Sequence, residues 1–395
     1  MAEHQLFRTF TDEQCNLVES EIGLMLPDLH DARVASLSHA TLGLMTCGRL
    51  AIRAIGRGMA VARGVVGKNA IKQVDRLLGN EGIDPWDLSA ALVPAVIAGR
   101  EKITVALDWT DFAADGQSTL ALRLVGDGTG RADALLWMSV WHDELKGSRN
   151  DFEDALLRRF AETMPKGTQA TVLADRGFGD VAFFAFLENL GFSYVIRFKA
   201  GTRVRAESGE IRTAAGWVGK GGRARILRNA AVTAAEAPVP AVVCVHDKAM
   251  AEPWCLATNI PDAKPRTIIS LYGRRWPIEP SFRDEKDLRF GMGLSETRIS
   301  DPQRRDRLLL VSALAIHLLV LLGIAAESLG YDRMMQADTR KTRQHSLFHQ
   351  GAFWYAMVPK LRADRLQALM ERFEELLRSK GYLAMLFASR KRGDG

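Results

Sequence analysis

The chain has 395 residues, 47% hydrophobic and 25% charged, an ordinary globular composition long enough for two or three domains and a sizeable core. A net charge of +6 and an isoelectric point near 9.2 favour a polyanionic partner without identifying one. Cys15, Cys47, Cys244 and Cys255 have no CxxC spacing, which argues against a zinc ribbon or a disulfide frame and reads as free thiols in a reducing compartment.

The N-terminal stretch MAEHQLFRTFTDEQ lacks the basic and apolar runs of a signal peptide. Residues 1–95 read as helical. Thr11-Asp12-Glu13-Gln14 is a capping-box pattern, followed by an apolar series at Cys15, Val18 and Ile22. Arg49, Arg53 and Arg57 are spaced by four, as are Lys68, Lys72 and Arg76, with a turn near Gly64 and Gly67. Two cationic helix faces joined by a turn suit a DNA backbone or groove; exposed cations of a soluble bundle are the other reading. Residues 80–86, with Gly82 and Pro85, mark a boundary.

An α/β pattern follows. Residues 102–107 form a β-rich run that ends at Asp108-Trp109-Thr110. Residues 118–125 and 132–141 are two further strands, 150–162 a helix, 171–174 a strand ending in Asp175, 180–190 a helix and 193–198 a strand. In a mixed sheet of order β-β-β-α-β-α-β, the first and fourth strands are neighbours, so Asp108 and Asp175 converge. Residues 200–260 read as a β-rich, basic insertion containing Trp217 and Trp254.

Residues 308–326 carry only Ser312 and His317 as polar interruptions. They read as a helix buried in the core, with a membrane span as the second choice. His317 is then a hydrogen-bonded core histidine. From about residue 330 the chain is helical again, with an apolar stripe at Leu361, Leu366, Leu369, Phe373, Leu376 and Leu377 that packs on the core or meets a partner. His345 and His349 read as a surface pair, and the tail Arg390-Lys391-Arg392 as disordered.

The stretch YGRRWPIEPSFRDEK, residues 272–286, carries the most chemistry. On an ideal helix Tyr272, Arg275, Glu279 and Lys286 fall within about 60° of one another. Taken alone, this is either a salt-bridged surface with Arg275 and Glu279 as an i,i+4 pair, or a metal ligand flanked by phosphate-binding cations. Pro277 and Pro280 suit a kink or a helix start. Asp108, Asp175 and Glu279 together would form an oxygen-donor site for two hard cations about 4 Å apart, a device for phosphodiester displacement. Asp111 reads as ordering a turn, and His142-Asp143-Glu144 as opening a polar loop. Arg176 either touches DNA or pairs with a carboxylate. Asp284 and Glu285 lie off the active face.

DWTDF around Asp108, LADRGF around Asp175 and YGRRWPIEPSFRDEK resemble the DDE transposases of bacterial insertion sequences, in the branch with a Tyr-x2-Arg-x3-Glu-x6-Lys signature. The resemblance implies an RNase H-like mixed-sheet core over 100–330 with the β-rich insertion at 200–260. A helical DNA-binding region (1–95) would precede it, and a helical region serving dimerisation or synapsis (331–395) would follow. It implies that Asp108, Asp175 and Glu279 hold two Mg²⁺, with Mn²⁺ substituting, and that Tyr272, Arg275 and Lys286 hold phosphates. Trp276 and Trp254 are candidates to stack a flipped base, against packing beside the site. The implied activity is metal-dependent cleavage and strand transfer at terminal inverted repeats through hairpin ends, by a homodimer in the bacterial cytoplasm. A host nuclease on the same core and an inactive DNA-binding relic are the alternatives.

Overall fold

The computed structural model describes residues 12–378 apart from 127–130, 290, 338 and 341, with only the backbone at 12–15 and 378. The Thr11 capping box, the Cys15 thiol and the basic tail lie outside the described residues.

Five helices come first: α1 (Asp12–Met25), α2 (Asp31–Cys47), α3 (Ile52–Arg63), α4 (Gly67–Leu78) and α5 (Pro85–Ile97). Arg49 precedes α3, so only Arg53 and Arg57 of that triplet are helical; both are exposed, as are Lys68, Lys72 and Arg76 on α4. The α3–α4 turn is closed by Gly64 at φ 67°, a conformation glycine adopts without strain. The same helices touch backbone to backbone, because a Cβ on Gly56 would lie 2.5 Å from Ile71 Cα. α5 caps its start with Asp84 and lays Val93 and Ile97 on the sheet described next.

Ten strands make one sheet: β1 (Lys102–Phe112), β2 (Gln117–Val125), β3 (Ala132–Trp141), β4 (Gln169–Ala174), β5 (Ser193–Arg197), β6 (Arg203–Arg205), β7 (Ile211–Thr213), β8 (Arg225–Val232), β9 (Ala237–Val245) and β10 (Trp254–Thr258). Their order is β3-β2-β1-β4-β5-β10-β9-β8-β6-β7. β1–β4 and β4–β5 are parallel, connected through α6 (Arg149–Thr163) and α7 (Val181–Asn189). This is the mixed α/β core read from the sequence, with β1 beside β4.

Two boundaries differ from that reading. β1 does not end at Leu107. Its parallel ladder with β4 stops at Leu107↔Ala174, but its antiparallel ladder with β2 continues to Phe112↔Gln117. The 200–260 insertion is β-rich but continuous with the core sheet, because β10 pairs with β5 and carries β9, β8, β6 and β7 outward.

The sheet alternates, and each face has its own core. Val105, Leu107, Val172, Ala174 and Ile196 pack with Leu156, Phe160, Phe184 and Leu187 of α6 and α7. Ala106, Phe112, Leu173, Val195 and Leu256 belong to the opposite core, shared with α8 (Pro265–Gly273), α9 (Ile278–Lys286) and α10 (Pro302–Ser328).

α10 is apolar on all sides because it is covered on all sides, by β3, α2, α4, α11 (Leu347–Met357) and α12 (Ala363–Arg378). It is long and apolar enough to span a bilayer, but 83% of its apolar window is buried inside the protein, so it is a core helix. α11 crosses it at backbone contact: a Cβ on Gly351 would meet the Leu319 carbonyl. Leu369, Phe373, Leu376 and Leu377 of α12 are buried against this assembly. His317 departs from expectation. It has no hydrogen-bond partner among the described residues; it lines a cavity with Trp137, Leu92 and Val320, and burial lowers its pKa to about 4, leaving it neutral.

Candidate active site

Asp108 and Asp175 are the first residues past the last paired rung of the parallel β1–β4 ladder. That register sets them side by side at one sheet end. Asp175 caps a short 3-10 turn, its Oδ1 accepting the Gly177 N–H at 2.7 Å. Asp108 is partly buried. Loss of solvent raises its pKa to about 6, Arg275 pulls it down, and the Asp175 charge pushes it up again.

The 272–286 stretch is two helices rather than one. α8 ends at Gly273, Arg274–Pro277 form turns, and α9 starts at Ile278 with Pro280 in its first turn. Pro277 has no N–H to continue a helix. The single-face wheel therefore fails, and its four residues are placed individually. Tyr272 is buried on α8, with Trp254 packed edge-on at 4.8 Å. Burial raises the Tyr272 pKa.

Arg275 stands in the turn and bridges two carboxylates. One guanidinium nitrogen donates to Asp108 Oδ2 at 3.0 Å and the other to Glu279 Oε1 at 3.1 Å. Burial alone would lower its pKa, but Asp108, Tyr272, Asp175 and Glu279 raise it. The i,i+4 pair is thus formed, and the same cation reaches Asp108. Glu279 is 46% exposed. Lys286, in the last turn of α9, reaches back to β1 and donates to Thr110 Oγ1 at 2.9 Å and to the Asp111 carbonyl at 2.7 Å. Burial lowers its pKa.

α9 is fixed from below. Glu285 pairs with Arg123 of β2 at 2.6 Å, Asp284 pairs with Arg131, and Ser281 Oγ accepts the Ala132 N–H at 2.8 Å. Asp284 and Glu285 point away from the site, as read from the sequence; their role as buried clamps was not visible there. Trp276 is 63% exposed beside Arg275, so it does not pack in the core. Trp217 does, donating to the Val204 carbonyl at 3.0 Å.

Asp111 accepts from Ser118 at 2.6 Å across the β1–β2 rung. Arg176 pairs with Glu252 at 3.1 Å, and Arg197 meets the same carboxylate at 2.8 Å. His142–Leu145 form a polar 3-10 turn, and His349 bonds Ser346 at the start of α11. Among the described residues no three His, Cys, Asp or Glu side chains are gathered closely enough to hold a metal ion.

Thr110 and Phe112 carry no motif signal of their own, although their period-two spacing from Asp108 puts all three on one strand face. Glu153 likewise has no local signal; its buried carboxylate accepts from Trp109 Nε1 at 2.7 Å on the opposite face.

The family model for the Transposase DDE domain matches residues 100–318, more than half of the chain. The chain belongs to the DDE transposases. No curated protein matches it. The matched span runs from the start of β1 into α10, and so includes both Asp residues, the insertion and the whole 272–286 stretch. As a member of a catalytic family of DNA transposases, the protein is an enzyme that acts on DNA, and such enzymes use divalent metal ions.

The three carboxylates of the motif segments match that requirement in donor type, though among the described residues they are not gathered into a metal-holding cluster. Asp108, Asp175 and Glu279 offer only oxygen donors, as hard divalent cations prefer. Arg275 already stands as a shared counter-charge between Asp108 and Glu279. Asp108, deprived of solvent and facing Asp175, is a carboxylate that gains from an added cation.

Proposed function

We propose that this DDE transposase mobilises a bacterial insertion sequence of the Tyr-x2-Arg-x3-Glu-x6-Lys branch by cut-and-paste transfer between terminal inverted repeats and target DNA. The observation that carries this reading is the Arg275 bridge between Asp108 and Glu279, formed at the sheet end where Asp175 follows β4. It ties the signature segment to the first Asp of the set.

In this reading Asp108, Asp175 and Glu279 would hold two Mg²⁺ ions, or Mn²⁺ in their place. Bound there, the ions would stabilise the charge that develops on phosphorus-bound oxygens. The protein's own groups do the rest. Tyr272, Arg275 and Lys286 grip phosphates of the transposon end and hold the scissile bond in line. Water attacks the phosphodiester at the end; the P–O3′ bond to the transferred strand breaks and leaves a free 3′-OH. That hydroxyl attacks the opposite strand, closing a hairpin and expelling flanking DNA. Water reopens the hairpin, and the 3′-OH then attacks target DNA.

Hairpin closure needs a base out of the stack, and unstacking is offset by an aromatic surface. Trp276, exposed beside Arg275, is available for that; Trp254 is occupied by Tyr272. The exposed cations of α3 and α4 supply a backbone contact within 1–95, and the C-terminal region (331–395) serves synapsis in a homodimer. The site of action is the cytoplasm, at the nucleoid.

The test is the purified protein with Mg²⁺ and a duplex bearing the inverted repeats that border its gene. Denaturing gels should resolve a nick at the repeat end followed by a hairpin. Cleavage without regard to the repeats would make it a nuclease, and binding without cleavage a relic.

A further inference from the structure

Strand alternation carries Asp108, Thr110 and Phe112 to one face of β1. Trp109 turns to Glu153 of α6 on the other. On the first face Asp108 receives Arg275, and two residues on the strand receives Lys286. The Lys286 ammonium donates to Thr110 Oγ1 at 2.9 Å and to the Asp111 carbonyl at 2.7 Å, and lies 4.9 Å from the centre of the Phe112 ring. Three consecutive residues thus seat one ammonium with a hydroxyl, a carbonyl and a ring face.

The seat is rigid from behind. The guanidinium of Arg305 lies 3.7 Å from the same ring, fully buried, and bonds Gln117 at 2.7 Å and Asp115 at 2.5 Å. The atoms that contact the ammonium are uncharged, although the Asp111 and Glu285 carboxylates and the Arg305 guanidinium act on it through space. Lys286 forms no ion pair among the described residues, in contrast to Arg275. A carboxylate in the seat would compete with a phosphate for the ammonium; a hydroxyl and a carbonyl leave its charge available. An ammonium has three N–H groups, and β1 takes two.

We propose that Thr110 is a positioning residue for DNA: with the Asp111 carbonyl and the Phe112 ring, its hydroxyl holds Lys286 so that the third N–H is presented to a phosphodiester oxygen beside Asp108. The proposal rests on the reading of Lys286 as a phosphate contact. The physical gain is pre-organisation. A lysine stem is flexible, and fixing its ammonium before DNA arrives removes that ordering from the binding step.

The experiment uses the full chain and a duplex ending in the DNA that borders its gene, with affinity measured over a salt series. Lys286→Ala should weaken binding and lower the slope of log K against log salt by about one. Thr110→Val, which removes the acceptor at similar volume, should weaken binding by about tenfold, the scale of a hydrogen bond to a charged group. Thr110→Ser should restore it. Adding Thr110→Val to Lys286→Ala should cost nothing further, because the hydroxyl acts only through the ammonium. Thr110→Ala provides a second variant if the valine lowers the melting temperature.

Wild-type binding by Thr110→Val and Thr110→Ala, beside a weakened Lys286→Ala, overturns the Thr110 assignment alone. So does an equal loss in the Lys286→Ala background, or a serine variant as weak as valine. Wild-type affinity and slope in Lys286→Ala would instead remove the phosphate reading of Lys286, and this proposal with it.

Discussion

Asp108 and Asp175 sit one step past Leu107↔Ala174, the last shared rung of the parallel strands β1 and β4. Neither aspartate is part of the β1–β4 ladder: Asp175 follows the end of β4, while Asp108 is still held on its other side by β2 at Asp108↔Ala121. The convergence follows from register, and the cation that answers it is Arg275.

Removing that cation should be felt without DNA. Arg275→Ala leaves Asp108 and Glu279 without their shared counter-charge. Glu279 is half exposed, so the loss is below that of a fully buried pair, about 2 kcal/mol. The melting temperature of the metal-free protein should drop, and Mg²⁺ should raise it more in the variant than in wild type. Arg275→Lys should not rescue stability, since one ammonium lacks the fork that reaches both carboxylates.

The clamp beneath α9 should matter more. Glu285 and Arg123 are both buried, and Phe282 packs on the Arg123 guanidinium at 4.8 Å. Glu285→Ala strands a buried guanidinium at a cost of about 3–5 kcal/mol. Urea unfolding should show the loss, and DNA cleavage should fall with it, because α9 carries Glu279 and Lys286.

Much of this arrangement was legible and some was not, for physical reasons. The strands around Asp108 and Asp175 announce themselves as short apolar runs, and the helices after them by their period. The end of β1 was misplaced because polar Thr110 and Asp111 break the apolar run, while pairing to β2 depends on backbone alone. The 272–286 wheel failed at Pro277, where a missing N–H divides α8 from α9. The clamps at Asp284 and Glu285 were invisible because Arg131 and Arg123 arrive from more than 150 positions away. Continuity of the insertion with the core depends on β5 meeting β10, a pairing that local patterns do not encode.

pH should act through Asp306. Burial raises its pKa from 3.8 to about 7 against the Ser139 bonds, which lower it. Between those values the folded protein keeps a proton that the unfolded chain has released. The contribution is therefore complete below about pH 4 and is lost as pH rises through 7. Asp306→Asn cannot titrate, so its stability relative to wild type should improve from about pH 5 to about pH 8 in urea unfolding. A difference that stays constant with pH would contradict this.

The α3–α4 unit offers a separate handle. Gly56→Ala places a methyl 2.5 Å from Ile71 Cα, so the two helices must part. The expected cost is about 1–3 kcal/mol. Binding to duplex DNA should weaken, measured by fluorescence anisotropy, if the exposed cations of these helices act as one surface.

The most direct measurement is single-turnover cleavage of a repeat-end duplex by wild type and by Asp108→Asn, Asp175→Asn and Glu279→Gln, each checked for DNA binding. All three should bind DNA, and none should nick it in Mg²⁺ or Mn²⁺. Nicking that survives in any one of them would contradict the site.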